Sequence, residues 1–142
     1  MKVILCALDF SEVTENVIRE AFKLAAKKRA SLIFLYAYRL LQRKGESLSA
    51  YRNGVEAKAK EDFEKLIKTI GYTMDVPFAF ITEIGFLSDR IESYMGKNNV
   101  AAIVLCEKLA ETLNEQKDVS LEDFIHGLKI PVVIIPEVHE VG

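Results

Sequence analysis

Short apolar runs and stretches of helical period alternate along this chain. Residues 3–8 (VILCAL) form a continuous apolar run, the pattern of a strand covered on both faces. Val17, Ala21 and Leu24 with Ile18, Phe22 and Ala25 then recur every three or four positions, which predicts a helix over 14–28 with one apolar stripe. Ser11 or Thr14 suits its start as a side-chain cap, and Lys27, Lys28 and Arg29 suit the negative end of its dipole. Residues 31–38 (SLIFLYAY), aromatic and branched, read as a second strand. Periodicity breaks over 39–54, which holds Gly45 and Gly54 and reads as a long connection. Val55, Ala59, Phe63, Leu66, Ile67 and Ile70 mark a second helix, stopped near Gly71. A third strand is expected over 76–82. Leu87, Ile91, Tyr94 and Met95 predict a third helix ended by Gly96, and 100–106 a fourth strand. Leu121, Phe124, Ile125 and Leu128 predict a last helix capped by Ser120, before a fifth strand over 132–135 bracketed by Pro131 and Pro136.

Strands that alternate with helices need crossover connections, which favour a parallel sheet with helices on both faces. The fold class is therefore three-layer α/β. At 142 residues, with no repeat or internal linker, the chain is expected to be one domain over 1–142 that builds its core without staples. A formal net charge of −2 lacks the basic footprint of a non-specific nucleic-acid binder. The apolar runs fall well short of the roughly 20 residues that cross a membrane. The first twelve residues lack the apolar core of a signal peptide. Cys6 and Cys106 both lie inside apolar runs, the usage of a reduced, cytoplasmic protein with buried thiols. Neither nucleic acid nor membrane is expected as a partner.

Ligands of open parallel sheets bind beyond the carboxyl ends of the strands, where the strand order reverses. The candidate residues are then Asp9, Phe10 and Ser11; Tyr38 and Arg39; Thr82, Glu83 and Gly85; and Cys106, Glu107 and Lys108. A carboxylate at Asp9 can accept hydrogen bonds from a ligand or hold a metal. It can equally bond backbone donors at the start of the first helix.

At these residues the chain resembles the universal stress protein family. The opening Lys2 to Glu12, the helix with Ala21, Leu24 and Ala25, Gly85 ahead of Ile91, residues 102–105 and residues 130–136 (IPVVIIP) carry the likeness. The resemblance implies a five-stranded parallel sheet of order 3-2-1-4-5, and a homodimer paired through Val132, Val133, Ile134 and Ile135. It also implies two branches, one that binds ATP and one that does not. In the binding branch Asp9 would help hold the nucleotide, and Ala7, Leu8, Phe10 and Tyr38 would line the adenine side. That branch carries a glycine just after the fourth strand, another three residues on, and a Gly-Ser or Gly-Thr pair ten further. Such glycines let backbone amides approach phosphates. Here no glycine occurs between Lys97 and His126. The slots fall on Cys106, Leu109 and Val119-Ser120, or one residue earlier, and only the Ser120 hydroxyl survives. The segment over 107–118 carries four acids against two lysines, a balance that opposes a triphosphate. Its composition predicts a short helix or ordered loop, with Leu109 and Leu113 touching the body of the protein.

Other chemistry finds little purchase. Asp9 lacks the adjacent acids of a phosphorelay receiver, and no strand is followed by a glycine triplet. His126 suits a helix C-terminus and His139 lies in the tail, so neither metal ligation nor catalysis is expected. Arg39, Arg43, Lys44 and Arg52, with Tyr51 among them, could fold over the site, though such a run is more commonly a solvated loop. A bare apolar last strand would be a liability that pairing with a second copy removes. The expected function is a dimeric, non-enzymatic stress-response or signalling module that needs no cofactor and acts on a protein partner. The alternative is an ATP-binding switch with magnesium and an atypical phosphate loop. A third reading is a small, less phosphorylated ligand near Asp9.

Overall fold

Side-chain alternation along the strands decides which layer each residue enters. The computed structural model describes residues 2–41, 45–71, 75–115 and 117–137. Its elements follow as β1 (Val3–Ala7), α1 (Thr14–Lys28), β2 (Ser31–Tyr38), α2 (Leu48–Ile70), β3 (Phe78–Ile84), α3 (Leu87–Lys97), β4 (Val100–Cys106), α4 (Glu107–Glu111), α5 (Leu121–Leu128) and β5 (Val132–Ile135). The strands form one parallel sheet in the order β3-β2-β1-β4-β5, as expected. Ile4, Cys6, Phe34, Ala102 and Val104 face α1 and α2, where Val17, Ile18, Phe22 and Phe63 close the first core. Leu5, Ala7, Leu35, Ile103 and Leu105 face the other way, against Ile91, Ala110, Leu113, Phe124 and Leu128. Both faces of the central strands are thus buried, which is why they read as unbroken apolar runs. No described helix is long and apolar enough to cross a membrane.

The structure corrects five boundaries, the first being that of β1, which ends at Ala7 and leaves Leu8 outside the strand. The long connection over 39–54 ends early, because α2 begins at Leu48 under a Ser47 cap whose Oγ accepts the Ala50 N–H at 3.0 Å. Its first turns are exposed, with Leu48 at 48%, so they carry no apolar stripe for periodicity to detect. The third strand starts at Phe78 rather than residue 76. Pro77 has no N–H for the ladder and contributes only its carbonyl, to the Leu32 N–H at 2.9 Å. That strand continues to Ile84 because β2 offers partners as far as Tyr38. Helix α3 runs through Gly96 and is closed by Asn98, whose backbone N–H and side-chain amide both donate to the Tyr94 carbonyl.

The start of α1 also differs. Val13 holds the cap position and no side chain caps it; neither Ser11 Oγ nor Thr14 Oγ1, both buried, has a hydrogen-bond partner. Asp9 organises this turn instead, accepting the Ser11 N–H at 2.9 Å on Oδ1. By contrast, Ser120 caps α5 as expected, accepting the Asp123 N–H at 3.1 Å.

Candidate ligand site at the carboxyl edge of the sheet

The strand order reverses between β1 and β4, so the crevice lies beyond Ala7 and Cys106. Asp9 and Cys106 meet there. The Cys106 thiol donates to Asp9 Oδ2 at 3.3 Å, while Oδ1 holds the Ser11 amide, so both oxygens have internal partners. Ala7, Leu8 and Cys106 are buried, and the Leu8 N–H already donates to the Leu35 carbonyl at 2.9 Å. Burial pushes the Cys106 thiol up, and the neighbouring Asp9 charge adds to this against the Leu109 backbone N–H. Cys6 is raised further, chiefly by burial and then by Cys106. Both shifts favour the thiol form over the thiolate.

Tyr38 and Gly85 form a second group. The Gly85 N–H donates to the Tyr38 carbonyl at 2.8 Å, at a φ of +131° that favours glycine. A cavity of about 460 Å³ opens beside them, lined also by Arg39, Phe86, Leu109 and Thr112. Arg39 stacks its guanidinium over Phe86 at 4.7 Å, and Arg52 lies within α2, paired with Glu56 at 3.4 Å. Arg43, Lys44 and His139 lie outside the described residues. Phe10 adopts a left-handed φ of 56° and packs edge-on against Tyr36 and Phe80; it is not among the described residues that line this cavity. Ser120 caps its own helix, and His126 is exposed in the last turn of α5.

The segment after β4 folds onto the core. Glu107–Glu111 is helical, Leu113 is fully buried, and Leu109 packs against both core layers. Lys117 fastens the loop to α3 through Asp89 at 3.2 Å and Glu92 at 3.5 Å. Among the described residues, no three His, Cys, Asp or Glu side chains cluster as a metal site.

Sequence reasoning passed over Glu56, which accepts the Tyr38 hydroxyl at 2.5 Å. Its i, i+4 spacing from Arg52 is the one signal that could have marked it, and with it the early start of α2. Burial and the Glu56 carboxylate push the Tyr38 phenol up to about 12, while the Tyr38 hydrogen bond holds Glu56 below its ordinary value. Tyr38→Phe is expected to cost about 1–2 kcal/mol at pH 7, measured by urea unfolding. A depressed carboxylate stabilises the fold above its unfolded value of 4.5 and stops doing so as pH falls through the lower folded value. The gap between wild type and variant should therefore narrow below about pH 4. A gap that stays constant down to pH 3 would assign the loss to packing instead.

A doubly wound parallel domain with its crevice between β1 and β4 defines a class of α/β proteins that take ligands at the carboxyl edge of the sheet. Within that class the chain belongs to the universal stress protein family, whose model matches residues 1–136. The fold is similar to that of a universal stress protein from Burkholderia pseudomallei, with TM-score 0.70 and 20% identity over 95% of this chain and 96% of that one. It is equally similar to UspA from Lactobacillus plantarum, with TM-score 0.70 and 21% identity over 94% and 97%. A universal stress protein from Archaeoglobus fulgidus, solved in complex with dAMP, gives 0.64 and 17% over 95% and 98%. No curated protein matches the sequence.

Proposed function

We propose that this chain is a nucleotide-independent, non-enzymatic member of its family, a cytoplasmic stress-response or signalling module that works as a homodimer on a protein partner. One observation carries the reading. The segment after β4 has no glycine, and it buries Leu113 and Ala110 in the core. A phosphate cradle needs backbone amides that side chains leave bare, and this segment presents Glu107, Glu111 and Glu115 on its exposed positions. Asp9, the residue that would hold a nucleotide in the binding branch, has both carboxylate oxygens engaged by Ser11 and Cys106.

The second reading, an ATP-binding switch with magnesium, draws on the dAMP complex of the Archaeoglobus fulgidus relative and on the open cavity beside Tyr38 and Gly85. Calorimetric titration with ATP and magnesium separates the two. No heat is expected at protein concentrations that detect an affinity of roughly 100 μM. Micromolar binding that weakens in Asp9→Ala would overturn the nucleotide-independent reading.

A further inference from the structure

Between the end of β2 and the first half of α2 lies a cavity of about 550 Å³, on the α1/α2 side of the sheet. That volume falls within the roughly 300–1,000 Å³ of small-molecule sites. Phe10, Tyr36 and Tyr51 supply its aromatic wall, and Glu46, Lys58 and Asp62 its charges. Tyr36, Tyr51 and Val55 also border the carboxyl-edge cavity, so the two spaces adjoin.

Two locally unfavourable residues converge on this space. Phe10 holds a left-handed backbone, disfavoured for an aromatic residue, and its ring meets Tyr36 at a centroid distance of 5.2 Å. Gly54 sits inside α2, where glycine weakens a helix. Nothing in its surroundings requires glycine: its φ is not positive, and a Cβ there would meet no atom within 4 Å. The missing side chain leaves the cavity open at that wall.

We infer that this cavity binds an organic cation, an ammonium or guanidinium carried on an apolar body. Aromatic faces attract such cations, and more strongly where water is excluded. Among the described lining residues two carboxylates stand against one ammonium, and Asp62 already engages that ammonium, with Lys58 Nζ at 2.9 Å from Oδ1 and 3.2 Å from Oδ2. Glu46 is the surplus negative charge. Burial pushes the Tyr36 phenol up, and Tyr51, Asp9 and Asp62 add to the rise; of these neighbours the two carboxylates are the ones charged at neutral pH. The charges of the described lining residues favour a cation over an anion.

The probe is 2-phenylethylammonium chloride, followed by backbone amide NMR, with neutral 2-phenylethanol as its control. Saturable shifts are expected at the Phe10, Tyr36 and Gly54 amides with a Kd below about 1 mM, and binding of the alcohol about tenfold weaker or more. Glu46→Gln should weaken the amine about fivefold, the loss of one facing charge near the surface. Gly54→Leu should abolish binding by filling the cavity, whereas Gly54→Ala should retain it. Both variants favour the helix, so a dispersed amide spectrum will show the fold intact. The inference is overturned if those amides do not shift at about 10 mM amine, a concentration that detects even millimolar affinity. Equal binding of the alcohol, unchanged binding in Gly54→Leu, or tighter binding of AMP at the same amides would each overturn it too.

Discussion

Phe34→Ala is expected to destabilise the protein by about 4 kcal/mol, in the range for a fully buried phenylalanine. Phe34 has no exposed surface. Its ring touches Phe63 at 5.1 Å, Phe22 at 5.4 Å and Phe78 at 6.0 Å, so it joins β2 to α1, α2 and β3 at once. Truncation would leave a void whose walls belong to four different elements, and these cannot all move inward together. Phe78 belongs to the same cluster but is 39% exposed on the edge strand, so water can fill the space that its ring vacates. Phe78→Ala should therefore cost less than about 2 kcal/mol, and the contrast between the two variants is the informative result. Urea unfolding at equal m-value measures both. A loss below about 2 kcal/mol at Phe34 would mean that α1 and α2 collapse onto the gap, and that the layer is far less rigid than its ring contacts imply.

The residues around Phe34 also show why most of the fold is legible in the sequence. A central parallel strand is apolar on both faces, so β1 and β4 stand out as unbroken runs whatever surrounds them. Helix α1 lies flat on the sheet and carries a clean stripe from Val17 to Ala25. Where contact with the sheet ends, the signal ends too. The first turns of α2 extend past the edge of the core, and their helical state rests on the Ser47 cap and the Arg52–Glu56 pair. Strand β3 pairs on one side only, so Pro77, and not hydrophobicity, sets its first residue.

The candidate site was legible in part. Position alone places Asp9 and Cys106 at the crevice between β1 and β4. What position cannot give is the direction in which a side chain leaves a turn. The left-handed backbone at Phe10 sets its ring against Tyr36 and Phe80, so it is not among the described residues that line the Tyr38 and Gly85 cavity with which the sequence grouped it. Tyr38 likewise closes on Glu56, a residue more than a full helical turn inside an element whose start left no apolar trace.

Ile134→Lys is expected to convert the proposed homodimer to a monomer, raising the dimer Kd at least about 100-fold. In the sheet order β5 pairs only with β4, so its outer backbone edge is an open template for another strand. Its four residues divide by face. Ile135 is buried in the first core layer and Val132 and Val133 are half-buried, whereas Ile134 is 40% exposed. Pairing of β5 with its own copy about a two-fold axis would satisfy the open edge and cover both Ile134 side chains, an isologous contact in which each patch meets itself. Lysine at 134 would set two like charges against each other across that axis. It should leave the protomer unaffected within about 0.5 kcal/mol, since the side chain does not enter the core. Ile135→Lys would instead bury a charge and unfold the chain, so it is the wrong variant for this question. Light scattering on wild type and Ile134→Lys at matched concentration decides it. A wild-type monomer at about 100 μM would remove the dimer altogether, since a pairing weaker than that lies outside the range of stable assemblies. A variant that stays dimeric would move the interface away from β5, to a surface where Ile134 takes no part.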